Sequence, residues 1–186
     1  MGSELTVRSK QAVAVHHSFQ EMERMATYVA KAGIFGVKTV DAAMALMLLA
    51  QSEGIHPMKA VQEYDIIQGR PAMKATAMAA RFEAAGGKIT WRKLDDAQAE
   101  AEFSHPTGGT IVIGWDLDKA KRAGLASKDV WKAYPRAMLR SRVVSEGIRT
   151  VLPGVLGGKY TPEETMHIET VEPVSVQAFI ENAGKL

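Results

Sequence analysis

Cations at helical spacing are the residues of this sequence best suited to a definite chemistry. Arg136, Arg140, Arg142 and Arg149 lie in SKDVWKAYPRAMLRSRVVSEGIRTVLPG, and Lys132 stands just ahead of them. Counted from Lys132 at about 100° per residue, Arg136 falls at about 40° and Arg140 at about 80°. On the same count Arg142 and Arg149 fall at about 280° and 260°. Val130, Tyr134, Met138, Val144, Ile148 and Val151 occupy the arc from about 100° to 240°. One side of such a helix can pack while the other presents five cations, interrupted by Leu139 and Val143. Arginine's planar fork suits phosphate or carboxylate better than lysine's point charge does. Phosphate contact, ion pairs within or between subunits, and plain solvated surface are the three readings. Glu146 stands four residues after Arg142 and three before Arg149, so it can hold either guanidinium.

A second set of cations precedes these. Lys74 and Arg81 are seven residues apart on an expected helix, hence on roughly one face, and Lys88, Arg92 and Lys93 follow on an expected strand. Phe82 and Trp91 offer aromatic surface beside them, although Trp91, Trp115 and Trp131 read more readily as core. Cations along a backbone path, with aromatics between, are what single-stranded nucleic acid requires of a protein surface.

Of 186 residues, 23 are Lys or Arg and 21 Asp or Glu, a net charge of only +2. That total hides alternating blocks. Residues 70–93 hold 6 basic and 1 acidic residue, and residues 94–118 hold 6 acidic and none basic. Residues 119–149 then hold 9 basic and 2 acidic. Blocks of opposite sign can pair between copies of a chain, and a head-to-tail interface of that kind builds rings or filaments.

Other chemistry finds little support. There is no cysteine, which removes disulfides, thiolate zinc sites and a thiol nucleophile. The histidines, His16, His17, His56, His105 and His167, show no close metal-ligand spacing. GVLGGKY resembles a phosphate loop only superficially, since Pro153 replaces its first glycine and Tyr160 its magnesium-holding Ser or Thr. Asp116 and Asp118 form a D-x-D pair, with Asp118 expected to cap the helix that follows. No G-x-S-x-G elbow is present. No catalytic residue, required cofactor or metal site is expected, and no motif supports Mg2+.

The elements that position these residues are legible from caps and periodicity. Ser18 followed by Glu21 starts a helix that Gly33 ends, and Thr39 caps a second that Gly54 stops. Ala43, Met44, Met47, Leu48 and Ala50 should line its buried face, widened by Leu46 and Leu49. HPMKAVQEY reads as a short helix begun by Pro57, and YDIIQGR as a short strand. PAMKATAMAARFEAAGG reads as a third full helix with Pro71 in its first turn. KITWRKL, AEAEF and TIVIGW are strands, and DLDKAKRAG a linker helix. Pro135 either begins or kinks the final helix. The expected class is α+β, with helices packed on a small antiparallel β-sheet and a long basic C-terminal helix. Residues 1–16 are expected as a flexible arm or a strand at AVAVH, 17–160 as one core, and 161–186 as a weakly structured acidic tail. No membrane span or secretion signal is expected.

ALMLLAQSEGIHPMKAVQEYDIIQGRPAMKATAMAARFEAAGGKITW resembles a segment of phage-encoded RecT-like recombinases. WKAYPRAMLRSRVVSEGIRTVLPGVLGGKYTPEE resembles the closing segment of the same group. Gly54, Pro57 and Gly69-Arg70-Pro71 match the first block's signature. The resemblance implies an ATP-independent single-strand annealing protein of the bacterial cytoplasm, active in homologous recombination. Its ligands would be single-stranded DNA and the annealed duplex intermediate. It would assemble as a homo-oligomeric ring or filament, with a phage exonuclease or host single-strand-binding protein as partners. The resemblance places DNA-backbone contacts on the helix bearing Arg136, Arg140, Arg142 and Arg149. Many members are longer, so this chain reads as an annealing core. The competing readings are an oligomeric structural or regulatory phage protein without annealing activity, and a metal-dependent nuclease.

Overall fold

A computed structural model describes residues 16–166. The chain divides into two compact units, residues 1–66 and 67–186, where the sequence reading has a single core over 17–160. The expected arm over 1–16, apart from His16, lies outside the described residues, as does the tail beyond Met166.

The described part of the first unit is helical up to its closing strand. Helix α1 (Phe19–Ala32) begins at Ser18, whose hydroxyl accepts from the Glu21 N–H while the Glu21 carboxylate accepts from the Ser18 N–H. Gly33 ends it in the left-handed conformation. Met22, Ala26 and Val29 form the buried face. A 3-10 turn, Ile34–Gly36, leads to α2 (Val40–Ser52), capped by Thr39 as expected. Ala43, Met44, Leu46, Met47 and Ala50 are buried there, but Leu48 points outward at 43% exposure. Helix α3 (Pro57–Glu63) starts on Pro57.

Strands β1 (Tyr64–Ile67) and β2 (Arg70–Met73) pair around Gln68 and Gly69. Both turn residues have positive φ, 51° and 75°, as a two-residue hairpin turn demands. This hairpin corrects the expectation of a helix from Pro71. Pro71 sits in β2, the Met73 N–H donates to the Tyr160 carbonyl, and α4 (Ala75–Ala84) begins only after Lys74.

The second unit packs helices on a three-stranded antiparallel sheet, so the class is α+β. Strands β3 (Lys88–Leu94), β4 (Gln98–His105) and β5 (Gly109–Asp116) lie in that order, with β4 central. Ala99, Ala101 and Phe103 of β4 are buried. The pairing sets Trp91, Ala101 and Ile113 abreast, and likewise Ile89, Phe103 and Ile111. Against this face lie α7 (Pro135–Val151) and α4. Phe82, expected as surface, is fully buried and stacks obliquely on Phe103 at 6.2 Å. Helices α5 (Leu117–Arg122) and α6 (Asp129–Ala133) connect the sheet to α7. Asp116 caps α5 by accepting from the Lys119 N–H, whereas Asp118, the expected cap, pairs with Lys121.

Candidate nucleic-acid interface

The basic stretch is two helices. Tyr134 breaks the path at φ −135° and ψ 55°, and Pro135, with no N–H to give, becomes the first residue of α7. Lys132 therefore belongs to α6 and is out of phase with the arginines. It is exposed and reaches Asp129 at 3.4 Å. Val130 and Tyr134, expected to pack, are 40% and 65% exposed, while Leu139 and Val143 are buried. A wheel drawn through a helix break misassigns the faces on both sides of it.

The second half of α7 is enclosed nearly all round, and its arginines are enclosed with it. Helix α8 (Pro162–Thr165) begins with a capping box between Thr161 and Glu164. Its two carboxylates reach a polar stripe on α7. Ser141 donates to Glu163 at 2.8 Å, and Ser145 donates to Glu164 at 2.7 Å. Arg149 donates to both Glu164 oxygens, at 3.1 and 3.0 Å, and to the Lys159 carbonyl at 3.3 Å. Arg142 donates to the Glu163 carbonyl at 3.3 Å and stands 3.8 Å from Glu164.

The charges respond to these surroundings. Burial pushes the Glu164 carboxyl up, but the Arg149 hydrogen bond, the Thr161 N–H and the Ser145 hydroxyl more than reverse this and leave it lowered. The Glu164 hydrogen bond raises Arg149, while burial lowers Arg142. The expected acidic tail thus opens with an ordered turn in which Thr161 and Thr165 are buried. Glu146 holds neither arginine. It accepts from the Trp115 indole and pairs with Lys119 at 3.3 Å.

The first half of α7 stays open. Arg136 and Arg140 are exposed, and among the described residues neither has a carboxylate within ion-pair distance. Arg140 lies over the half-buried Trp91 ring at 6.0 Å, near the outer limit of a cation–π contact. Trp91 belongs to an edge strand, so its ring lies at the margin of the packed face. Arg136 borders a shallow cavity with Asp96, Tyr134 and Pro135.

The remaining candidates sit elsewhere. Alternation along β3 turns Lys88 and Thr90 away from the face that α7 covers. A bulge between Trp91 and Lys93 then sets Lys93 opposite Glu100. Arg92 pairs with Glu102, and Lys93 reaches Gln98 at 3.4 Å. Arg92 and Lys93 thus meet the acidic block on the open side of the sheet, while Lys88 stands opposite Ser104. Lys74 stands at the start of α4 and Arg81 within it, each partly buried. The ten cations therefore divide into separate groups. Of these ten, Arg136 and Arg140 are the ones that combine exposed, unpaired charge with a nearby aromatic face, that of Trp91. Trp131 is buried, as a core reading of it requires.

Among the described residues no group of three or more His, Asp or Glu side chains is placed to hold a metal ion. No helix among them is long and apolar enough to cross a membrane. Comparison of the chain with protein-family models, curated proteins and solved structures finds no match.

Proposed function

We propose that this protein binds single-stranded DNA and anneals complementary strands in phage homologous recombination, without ATP, in the cytoplasm of the bacterial host. The observation that carries this reading is the pairing of exposed Arg140 with Trp91, beside exposed Arg136. Guanidinium groups neutralise backbone phosphates, and an aromatic face accepts a base of any identity. Contacts of that kind leave the base edges for the incoming strand to read. The resemblance of residues 45–91 and 131–164 to RecT-like recombinases supports the same reading, as does the alternation of charge blocks between 70 and 149. The acidic stretch 94–118 of one copy would face a basic stretch of the next, giving a ring or filament that keeps the strand extended. An exonuclease or a host single-strand-binding protein would then act on the same strand.

Binding of fluorescent single-stranded DNA at graded salt tests the interface. Wild-type affinity should fall steeply with salt, and R136A/R140A should lower the log–log slope by about 1.4, or about 0.7 per lost phosphate contact. Unchanged affinity and slope in R136A/R140A would remove these arginines from the site. Assembly by wild type with no DNA affinity would favour a structural phage protein instead.

A further inference from the structure

We infer that the first unit carries a second contact for unpaired bases, formed by Arg24, Tyr28 and Lys31 on α1 and by Phe35 and Lys38 beyond it. The inference rests on the single-strand reading and extends it to a surface that the two basic blocks do not include. Arg24, Tyr28 and Lys31 are spaced four and three residues apart, so they share one face of α1. That face is opposite the buried Met22, Ala26 and Val29. All three are exposed, Tyr28 at 72%. The stripe leads to a turn where Ile34 and Phe35 are 44% and 40% exposed, and exposed Lys38 follows. Cation, aromatic, cation, aromatic, cation is therefore the order along the chain.

The backbone of the turn is the independent observation. Phe35 is held at φ 59° and ψ 16°, a left-handed conformation that an L-residue with a bulky side chain adopts only at a steric cost. Gly33 and Gly36 share that sign of φ, and glycine at 35 would meet it without strain. An aromatic ring is kept there instead, at the tip of a turn closed by the Val37 N–H to the Ile34 carbonyl and anchored by buried Val37. Exposed rings flanked by lysines with no ion-pair partner among the described residues match a polyanion carrying flat, apolar bases. A purely apolar protein partner has no use for the three cations.

The test measures oligothymidylate binding at graded salt, with solution mass recorded before DNA is added. F35L and Y28L should each weaken binding by about five- to tenfold, because leucine preserves apolar bulk but offers no stacking face. F35W should bind at least as tightly as wild type, and K31A/K38A should lower the salt slope by about 0.7 per lysine. Thermal melts of F35L and Y28L matching wild type would establish that their folds are intact. Wild-type affinity in folded F35L and Y28L would overturn the inference, as would a changed mass for F35L without DNA. Loss of binding in R136A/R140A alone would overturn it while leaving the first reading in place. Wild type with no affinity for oligothymidylate would overturn both.

Discussion

Replacing Glu164 by alanine is expected to cost about 3–5 kcal/mol of folding stability, read as a fall in the urea midpoint. One carboxylate ties together Arg149, Ser145 and the Thr161 N–H, and stands close to Arg142. Its side chain is only 11% exposed and that of Arg142 13%, so water replaces little of what is lost there. Removing it strands two guanidinium groups against each other on one helix. Breaking a buried pair in that way costs far more than forming the pair ever contributed. All three tryptophans lie in the second unit, so their fluorescence follows its unfolding. E164Q keeps the shape and part of the hydrogen bonding, and should cost less than E164A.

The same residue gives a pH dependence with a definite sign. Glu164 titrates below its ordinary value of 4.5 in the folded protein, so the unfolded chain takes up a proton first as pH falls. Its contribution is complete above that ordinary value. It is lost as pH descends through the folded value, and E164Q should lose less stability across that interval than wild type.

Gly147→Ala is the second large effect, expected to destabilise by about 1–3 kcal/mol through overpacking. Helix propensity alone predicts the opposite, because alanine in a helix interior is favoured over glycine by about 1 kcal/mol. Packing decides the sign. A β-carbon on Gly147 would clash with one edge of the Phe103 ring, which is fully buried. That ring cannot withdraw freely, because Phe82 lies against it and a β-carbon on Gly87 would strike Phe82 in turn. Two glycines thus make room for the aromatic pair at the centre of the second unit. Urea unfolding of G147A, F103L and the double variant checks this. The double variant should be more stable than the sum of the two single losses implies. Simple additivity would show that Gly147 and Phe103 do not compete for space.

Local signals carried much of the fold. Ser18 with Glu21, Thr39 and Pro57 mark helix starts because each solves a problem of its own helix end, and no distant residue is needed to see it. The β3–β5 strands were legible for a related reason, since Ile89 and Trp91 alternate with Lys88, Thr90 and Arg92 within a single strand. What was missed depends on partners far along the chain. A helical wheel of α7 contains no information about Glu163 and Glu164, yet these residues decide how Arg142 and Arg149 are used. Phe82 looked like surface because its neighbours in sequence are charged, whereas its neighbour in space is Phe103. Pro71 suited a first helical turn as well as an edge strand, and the hairpin turn at Gln68 and Gly69 decided for the strand. The Arg24, Tyr28 and Lys31 face was visible at helical spacing, but an almost neutral charge over residues 1–69 concealed it.

Interior demand on α7 also explains why only two of its four arginines remain open. The helix must cover β4 and β5 while closing against α8, which leaves only its first turns for another molecule. Arg136 and Arg140 occupy those turns. Whether they serve strand annealing is measured most directly by mixing complementary oligonucleotides with wild-type protein and no nucleotide, and following duplex formation. The account predicts acceleration over the spontaneous rate, unaffected by ATP and diminished in R136A/R140A. Duplex formation at the spontaneous rate, or acceleration only when ATP is supplied, would contradict it.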